Sequence, residues 1–358
     1  MPGDDHRPED EVEKLLEASA AAFEAGELEE ALARAEDALA LEPRSVAALH
    51  HRAAALAELG QIEEAQAAYE KALVPGKDDP ELLLGAADFL VNVQAGDDDA
   101  GDPDRLERAL ELARKGGKLA TKAGDHPLAG ELAIVQAAAL NQLGRNAEAL
   151  ERLLRGDETS PDTWLERAAA LFELCRFDEA RGAAERAEAL APEAGWAQHL
   201  LGLLAERRGD EAEAKRRFRR ARDLDPDAFP LAIGLSHKEF ERVVEEALEE
   251  IPEEVRRYLA NVPITVEDLP ADHDLLGADP PLSPGILGLF RGAPYGAKAA
   301  IGDPWSHLPS SIALYQRNLE RYARDRDELI QEIGVTLVHE VGHFLGLDED
   351  ELWERGLG

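Results

Sequence analysis

A 34-residue repeat constrains the fold of the first two thirds of the chain more than any other feature of the sequence. From about residue 12 to 228 the chain is rich in Ala, Leu and Glu. Some positions recur 34 residues later: Gly26, Ala31, Ala35 and Ala38 are followed by Gly60, Ala65, Tyr69 and Ala72, and Cys175, Ala180, Ala184 and Ala187 by Gly209, Ala214, Phe218 and Ala221. A turn residue followed by small residues at helical spacing predicts pairs of closely packed helices, about six in all.

This period resembles that of the tetratricopeptide repeat (TPR), in which a proline such as Pro192 or Pro226 follows the second helix of a pair. The resemblance implies an all-α TPR solenoid over residues 1–228 and a groove that binds a peptide or a partner protein. A purely structural spacer is the alternative. The third unit departs from the pattern, because 93–105 inserts a polar loop. Cys175 replaces a turn glycine, and we interpret it as an unreactive turn residue.

The charge balance of the chain limits its partners. Asp and Glu number 75 against 39 Lys and Arg, for a formal net charge of -36. Such a surface repels phosphate backbones and anionic headgroups, so we expect no nucleic-acid and no membrane partner. The N-terminus lacks the pattern of a secretory signal and no segment is apolar enough to span a bilayer, which predicts a cytoplasmic protein. With one cysteine, any metal site has to use His, Asp or Glu.

A second domain is predicted after a linker at 229–237, where prolines end the repeat pattern. We expect residues 238–358 to form a small α+β domain that begins with two helices and ends with a helix over about 327–345. Two long loops, 268–285 and 292–311, separate three short runs of β-branched and aromatic residues. These runs predict strands at 262–269, 286–290 and 311–316.

The motif HExxH lies in the last predicted helix. Apolar residues occupy nearly its whole circumference, which predicts a helix surrounded by protein and a polar triplet removed from water. His339 and His343 lie one turn apart on one face, so both can bind a single ion. Glu340 is rotated by about a third of a turn, beside the open position of that ion. The pattern predicts a Zn²⁺ site whose bound water gives up its proton to Glu340.

A third metal ligand is expected just after the helix, since only fifteen residues follow His343. Gly346 permits the positive φ that a chain reversal needs. Counted from His339, the pattern HExxHxxGxx places Glu349 at the ligand position. Asp348 and Asp350 flank it, and a register difference of one residue would make either of them the ligand.

With these residues in place, about 239–352 resembles the small bacterial zincin-like metallopeptidases of the short "Zincin 1" type. The matching segments are FERVVEEALEEIP, VPITVEDLP, ILGLFRGAP, SIALYQRNLER and VHEVGHFLGLDEDEL. The resemblance implies zinc ligands at His339, His343 and the acid after Gly346, with Glu340 as general base. Relatives commonly have Asp at the last position, where this chain has Glu349. The only methionine is Met1, so the methionine turn of the metzincins is missing.

These features predict a zinc metallopeptidase whose peptide or protein substrate, or a protein that delivers it, is held by the TPR array. A substrate strand could pair with the predicted edge strand at 285–292. Tyr315 and His307 are candidates for stabilising the oxyanion. The main alternative is a TPR interaction scaffold with a structural or catalytically inactive zinc site, and a weaker one is a zinc-dependent amide hydrolase that acts on small molecules.

Overall fold

The structure is a computed structural model that describes residues 8–93, 102–154, 156–259, 262–292, 310–348 and 351–352. These residues form a long series of helices followed by a small three-stranded sheet with further helices, as the sequence predicts. None of the helices in this described part of the chain has the length and apolar content that crossing a membrane requires.

The repeat region contains twelve helices in its described residues. The helices are α1 (Pro8–Glu24), α2 (Leu28–Leu41), α3 (Val46–Glu58), α4 (Ile62–Leu73), α5 (Pro80–Asn92), α6 (Pro103–Ala123), α7 (His126–Gln142), α8 (Asn146–Leu153), α9 (Pro161–Glu173), α10 (Phe177–Leu190), α11 (Gly195–Arg207) and α12 (Glu211–Leu224). The recurring alanines are fully buried, as Ala31 and Ala65 illustrate. A methyl group at these positions lets neighbouring helices approach closely, so the repeated small residues set the packing.

The turns within helix pairs require a left-handed backbone. Gly26, Gly60, Gly144 and Gly209 have φ between +70° and +76°. Cys175 adopts the same conformation with a φ of 57°, the only positive φ of a non-glycine residue in the described chain. The interpretation of Cys175 as a turn residue is confirmed, and its β-carbon makes this turn more strained than its glycine counterparts.

The chain divides into two compact units, Met1–Ala170 and Leu171–Gly358, and the division falls within α9. The second unit therefore contains α10, α11 and α12 together with the sheet. This division by compactness falls after Ala170, whereas the repeat pattern in the sequence continues to about residue 228. The predicted domain limits, with a linker at 229–237, accordingly remain a prediction.

The α+β region begins with α13 (His237–Glu250), a strongly amphipathic helix. Ser236 and Glu239 form a capping box, in which each side chain satisfies the backbone N–H of the other residue. Val243 and Val244 follow Phe240 by three and four residues, and all three are buried in the core with α17. The helical spacing of these apolar residues thus decides which face of α13 packs inward. The remaining helices are α14 (Glu253–Leu259), α15 (Asp272–Leu275), α16 (Gln316–Tyr322) and α17 (Arg326–Leu345).

The sheet has the strand order β1 (Ile264–Glu267), β3 (Ser311–Tyr315), β2 (Gly288–Arg291). β1 pairs with β3 in parallel, and β2 pairs with β3 in antiparallel register. All three predicted strands are present, and β2 lies at an edge as expected. The region 268–285, predicted as a loop, contains the short helix α15. Most of the second predicted loop, 293–309, lies outside the described residues.

The motif helix α17 begins after Asp325, whose side chain accepts hydrogen bonds from two N–H groups of the first turn. It ends at Gly346, whose φ of 91° confirms the predicted left-handed stop. The expectation that protein surrounds the whole helix is wrong: Val335 is 53% exposed and Leu345 40%. Apolar residues on this side are tolerated in solvent because the other face already supplies the core contacts.

Candidate metal centre

The two histidines of the motif converge within one turn of α17. Their Nε2 atoms are 3.1 Å apart, and both side chains are half-buried. Nδ1 of His343 lies 3.1 Å from the carbonyl oxygen of Leu347. A carbonyl can only accept a hydrogen bond, so this contact favours the tautomer with the proton on Nδ1, in which Nε2 has a lone pair for a cation. The hydrogen bond also orients the ring of His343, with Nε2 directed toward His339.

Glu340 lies on the buried side of the same turn and is 5% exposed. Its Oε2 accepts a hydrogen bond of 2.5 Å from the backbone N–H of Phe290 in β2. A β-carbon at Gly288 would lie 2.5 Å from Thr336 Cγ2 and 3.4 Å from Glu340 Cγ. The glycine therefore lets β2 approach the motif helix closely enough for this hydrogen bond. Sequence reasoning did not assign a role to Gly288, although an isolated glycine within a strand is a signal of close backbone approach.

The chain reverses after α17 and returns to it. The Leu347 N–H donates to the carbonyl of Gly342, and the fully buried Leu352 packs on Gly342, where a β-carbon would lie 2.2 Å from Leu352 Cδ2. The expectation of a reversal at Gly346 is therefore confirmed. The candidate ligand Glu349 lies outside the described residues, as does Asp350.

Asp348 has another role in the structure. Its Oδ1 accepts from the Glu351 N–H at 2.9 Å, and Glu351 Oε2 accepts from the Asp348 N–H at 3.1 Å. This reciprocal pair has the pattern of a capping box at the start of a helical turn. Coordination of a metal by Asp348 would have to compete with this cap.

The donor set fits a zinc ion. At zinc–nitrogen distances of 2.0–2.1 Å and a tetrahedral angle, two imidazole nitrogens lie about 3.3 Å apart. The 3.1 Å between the two Nε2 atoms is close to that value. Within the part of the chain that the structure describes, no group of three or more His, Cys, Asp or Glu side chains is arranged to hold a metal. A third ligand would therefore have to come from residues outside that part or from a rearrangement.

A charged network at the end of β2 was not anticipated from the sequence. The guanidinium of Arg291 makes two contacts with Glu267 of β1 and two with Asp274 of α15, at 2.5 to 3.0 Å. These contacts with two carboxylates raise the pKa of Arg291 far above its ordinary value. The partners are 17 and 24 residues away along the chain, so no local pattern reveals them.

Tyr315 belongs to this network. It has no exposed surface, and its hydroxyl lies 3.5 Å from Nη2 of Arg291. Burial raises the pKa of the phenol above its ordinary value. Since a fully buried hydroxyl cannot contact a substrate without a rearrangement, the structure does not support Tyr315 as an oxyanion stabiliser. The other candidate, His307, lies outside the described residues.

Comparisons with protein-family models match two parts of the chain. Residues 259–357 match the zincin-like metallopeptidases, and residues 22–91 match the tetratricopeptide repeat. The first match contains the complete motif with His339, Glu340 and His343. No curated protein matches the sequence.

Comparisons with solved structures find TPR proteins. A crystal structure of PilW, described as a widely conserved type IV pilus biogenesis factor, has a TM-score of 0.50 and 16% identity, and the match covers 60% of this chain and 94% of PilW. PilF from Pseudomonas aeruginosa has a TM-score of 0.49 and 18% identity, with 66% of this chain and 98% of PilF covered. At such identities the likeness concerns the fold alone. The chain thus combines a helical repeat region that is similar to tetratricopeptide-repeat proteins with a C-terminal segment that matches the zincin-like metallopeptidases.

Proposed function

We propose that the protein is a zinc-dependent metallopeptidase that hydrolyses peptide bonds in a peptide or protein substrate. His339, His343 and Glu349 are the proposed zinc ligands, and Glu340 is the proposed general base. The observation that carries the proposal is the convergence of the two Nε2 atoms, 3.1 Å apart, beside a buried carboxylate. Bound zinc would supply a water molecule of lowered pKa.

Two observations favour Glu349 over Asp348 as the third ligand: the chain reverses at Gly346, and Asp348 caps the helical turn that contains Glu351. Asp348 is engaged with Glu351, which favours a different residue as ligand. Glu349 follows directly and keeps the ligand a carboxylate, while Asp350 remains the alternative. Substituting each of the two by alanine and titrating zinc would identify the ligand, because removing a true ligand lowers the affinity strongly.

The role proposed for Glu340 follows from its surroundings. It is the one buried carboxylate of the motif, and the Phe290 N–H holds one of its oxygens. A hydrogen bond from a backbone donor fixes the orientation of a carboxylate without neutralising it. Glu340 can then take a proton from the attacking water and deliver it to the leaving amine, as a general base and acid does.

Strand pairing is the proposed way of holding the substrate. The Tyr315 N–H donates to the carbonyl of Leu287, so Leu287 and Leu289 turn their backbone groups toward β3. The backbone groups of Gly288 and Phe290 consequently point outward. The Phe290 N–H is occupied by Glu340, so the backbone groups left for a substrate are the N–H and carbonyl of Gly288 and the carbonyl of Phe290. An extended peptide that adds to this edge would have its register fixed by main-chain hydrogen bonds.

The TPR array is proposed to bind a substrate or a partner protein, since stacked helix pairs present long surfaces to peptides. The proposed setting is the bacterial cytoplasm, which is consistent with a single cysteine and with the resemblance to bacterial proteins.

The proposal is tested by peptide-library cleavage with zinc analysis of the same preparations. We expect one zinc per chain and a loss of kcat/KM of about 10²- to 10⁴-fold in Glu340→Gln without loss of zinc. Glu332→Gln, on the same helix two turns earlier, is the matched control and should retain activity. His339→Ala and His343→Ala should lose the metal.

Two outcomes contradict the proposal. Full cleavage by Glu340→Gln would show that the assigned chemistry is wrong. A wild-type protein that holds zinc in a closed four-ligand site and cleaves nothing would support the alternative, an interaction scaffold with a structural or inactive zinc.

A further inference from the structure

The Arg291 network joins three elements at the end of the edge strand. Nη1 and Nη2 of Arg291 reach the two carboxylate oxygens of Glu267 at 2.5 and 2.9 Å. Nε and Nη2 reach those of Asp274 at 3.0 and 2.6 Å. One guanidinium therefore binds two carboxylates, each through two contacts, and ties β2 to β1 and α15.

The rigidity of this arrangement follows from chemistry and burial. A guanidinium is planar and offers its donors in a fixed fork, which a single ammonium group cannot reproduce. The Asp274 side chain is only 7% exposed, so its carboxylate depends on Arg291 for compensation of its charge. Arg291 is consequently constrained in position as well as in orientation.

Arg291 directly follows the residue that contacts the proposed general base. The Phe290 N–H donates to Glu340, and the Phe290 ring lies 5.7 Å from that of Phe344, one turn further along α17. β2 thus runs beside the motif helix. Displacing the end of this short strand would shift the Phe290 N–H relative to Glu340, because only one peptide unit separates the two residues.

We propose that Arg291 is a positioning residue: it anchors the end of β2 so that the Phe290 N–H holds the Glu340 carboxylate in its productive orientation and the outer strand edge keeps a single substrate register. The catalytic part of this inference rests on the proposed peptidase function. The anchoring part concerns only contacts of the chain with itself, and it can be measured without any substrate.

The test compares Arg291→Met, Arg291→Lys and the double variant Arg291→Met/Asp274→Asn in the full chain loaded with zinc. Arg220→Met, which removes an exposed ion pair with Glu193, is the matched control. The first readout is hydrogen exchange of the Phe290 amide. We expect it to be about tenfold faster or more in both variants that contain Arg291→Met, intermediate in Arg291→Lys and unchanged in the control.

The second readout is cleavage of a peptide library. We expect kcat to fall about tenfold or more in Arg291→Met while KM changes little, and products to show more than one cleavage position. The double variant removes the buried charge that Arg291→Met leaves behind. It should recover thermal stability but neither the protected Phe290 amide nor the single cleavage position.

The outcomes separate the two proposals. Recovery of amide protection and kcat in the double variant would overturn the positioning role, since charge compensation alone would then explain Arg291. An unchanged Phe290 amide in Arg291→Met would overturn it as well. Fast exchange in Arg291→Met, combined with a wild-type protein that cleaves no peptide, would support the anchor and contradict the proposed function.

Discussion

The repeat region and the α+β region are stabilised by contacts over different distances along the chain. In the repeats, many ion pairs join residues three or four apart, as Arg34 does with Glu30, and others join a helix to a turn between helices, as Arg220 does with Glu193. Around the sheet, Arg291 reaches back 24 residues to Glu267, and Arg317 and Arg321 both reach Glu206, more than 100 residues earlier. Contacts between residues three or four apart produce a recognisable spacing in the sequence, whereas contacts between distant residues do not.

The difference also appears in how glycine is used. Gly60 has a φ of +71° and open space around its α-carbon, so its role is purely conformational. Gly288 is needed because Thr336 of another element occupies the space that a side chain would fill. A repeat needs glycine for its turns, and the candidate metal centre needs it for close approach between elements.

The largest expected effect is that of Phe240→Ala in α13. The ring is fully buried against α17, and its removal should cost about 3–5 kcal/mol of unfolding free energy. Because α13 supports the motif helix, zinc affinity should fall as well. Urea unfolding and a zinc titration measure the two effects.

Leu110→Ala is the matched change in the repeats. Leu110 is fully buried in the hydrophobic core of the repeat helices, so a cost of about 2–5 kcal/mol is expected, with zinc affinity retained. Equal losses of zinc affinity in Leu110→Ala and Phe240→Ala would contradict the expectation that only the core around α17 supports the candidate metal centre.

Glu166→Gln on α9 is expected to have a smaller effect on the free energy of unfolding, and this effect should depend on pH. Burial is the main cause that raises the pKa of Glu166 to about 7, against an ordinary 4.5, while a hydrogen bond from Asn141 opposes the shift. The folded state thus binds the proton more tightly than the unfolded state. The stabilisation from this proton is complete below pH 4.5 and is lost as the pH rises through 7.

Glutamine stays neutral and can still accept the hydrogen bond from Asn141. The advantage in stability of Glu166→Gln over the wild type should therefore grow by about 1–2 kcal/mol between pH 5.5 and 8.5 in denaturant unfolding. Glu148→Gln is the control, because Arg145 lowers the pKa of that exposed carboxyl. An advantage of Glu166→Gln that shrinks with rising pH would contradict the assigned direction.

The smallest effect is expected from Cys175→Gly. Removing the β-carbon at a φ of 57° should stabilise the turn by about 0.5–1 kcal/mol, whereas Gly209→Ala, at the equivalent turn, should destabilise it by about 1 kcal/mol. Thermal unfolding of both variants tests whether the two turns need the same left-handed backbone geometry. If Cys175→Gly were instead destabilised, the packing of the thiol would stabilise the protein by more than the strain of the positive φ costs.

The candidate site was predictable where its residues lie on one helix. His339, Glu340 and His343 have a spacing whose geometry follows from 3.6 residues per turn, and Gly346 marks the reversal. The exposed face of α17 was not predictable, since an apolar residue such as Val335 looks like a core residue in sequence.

The sequence by itself determined the repeat period, the position of the motif helix and the three strands, because each depends on residues close together along the chain. Only the tertiary structure decided that the Phe290 N–H meets Glu340 and that Arg291 binds Glu267 and Asp274. The physical reason is that such contacts depend on which elements the folded chain brings side by side, and the pattern of one element does not contain that information.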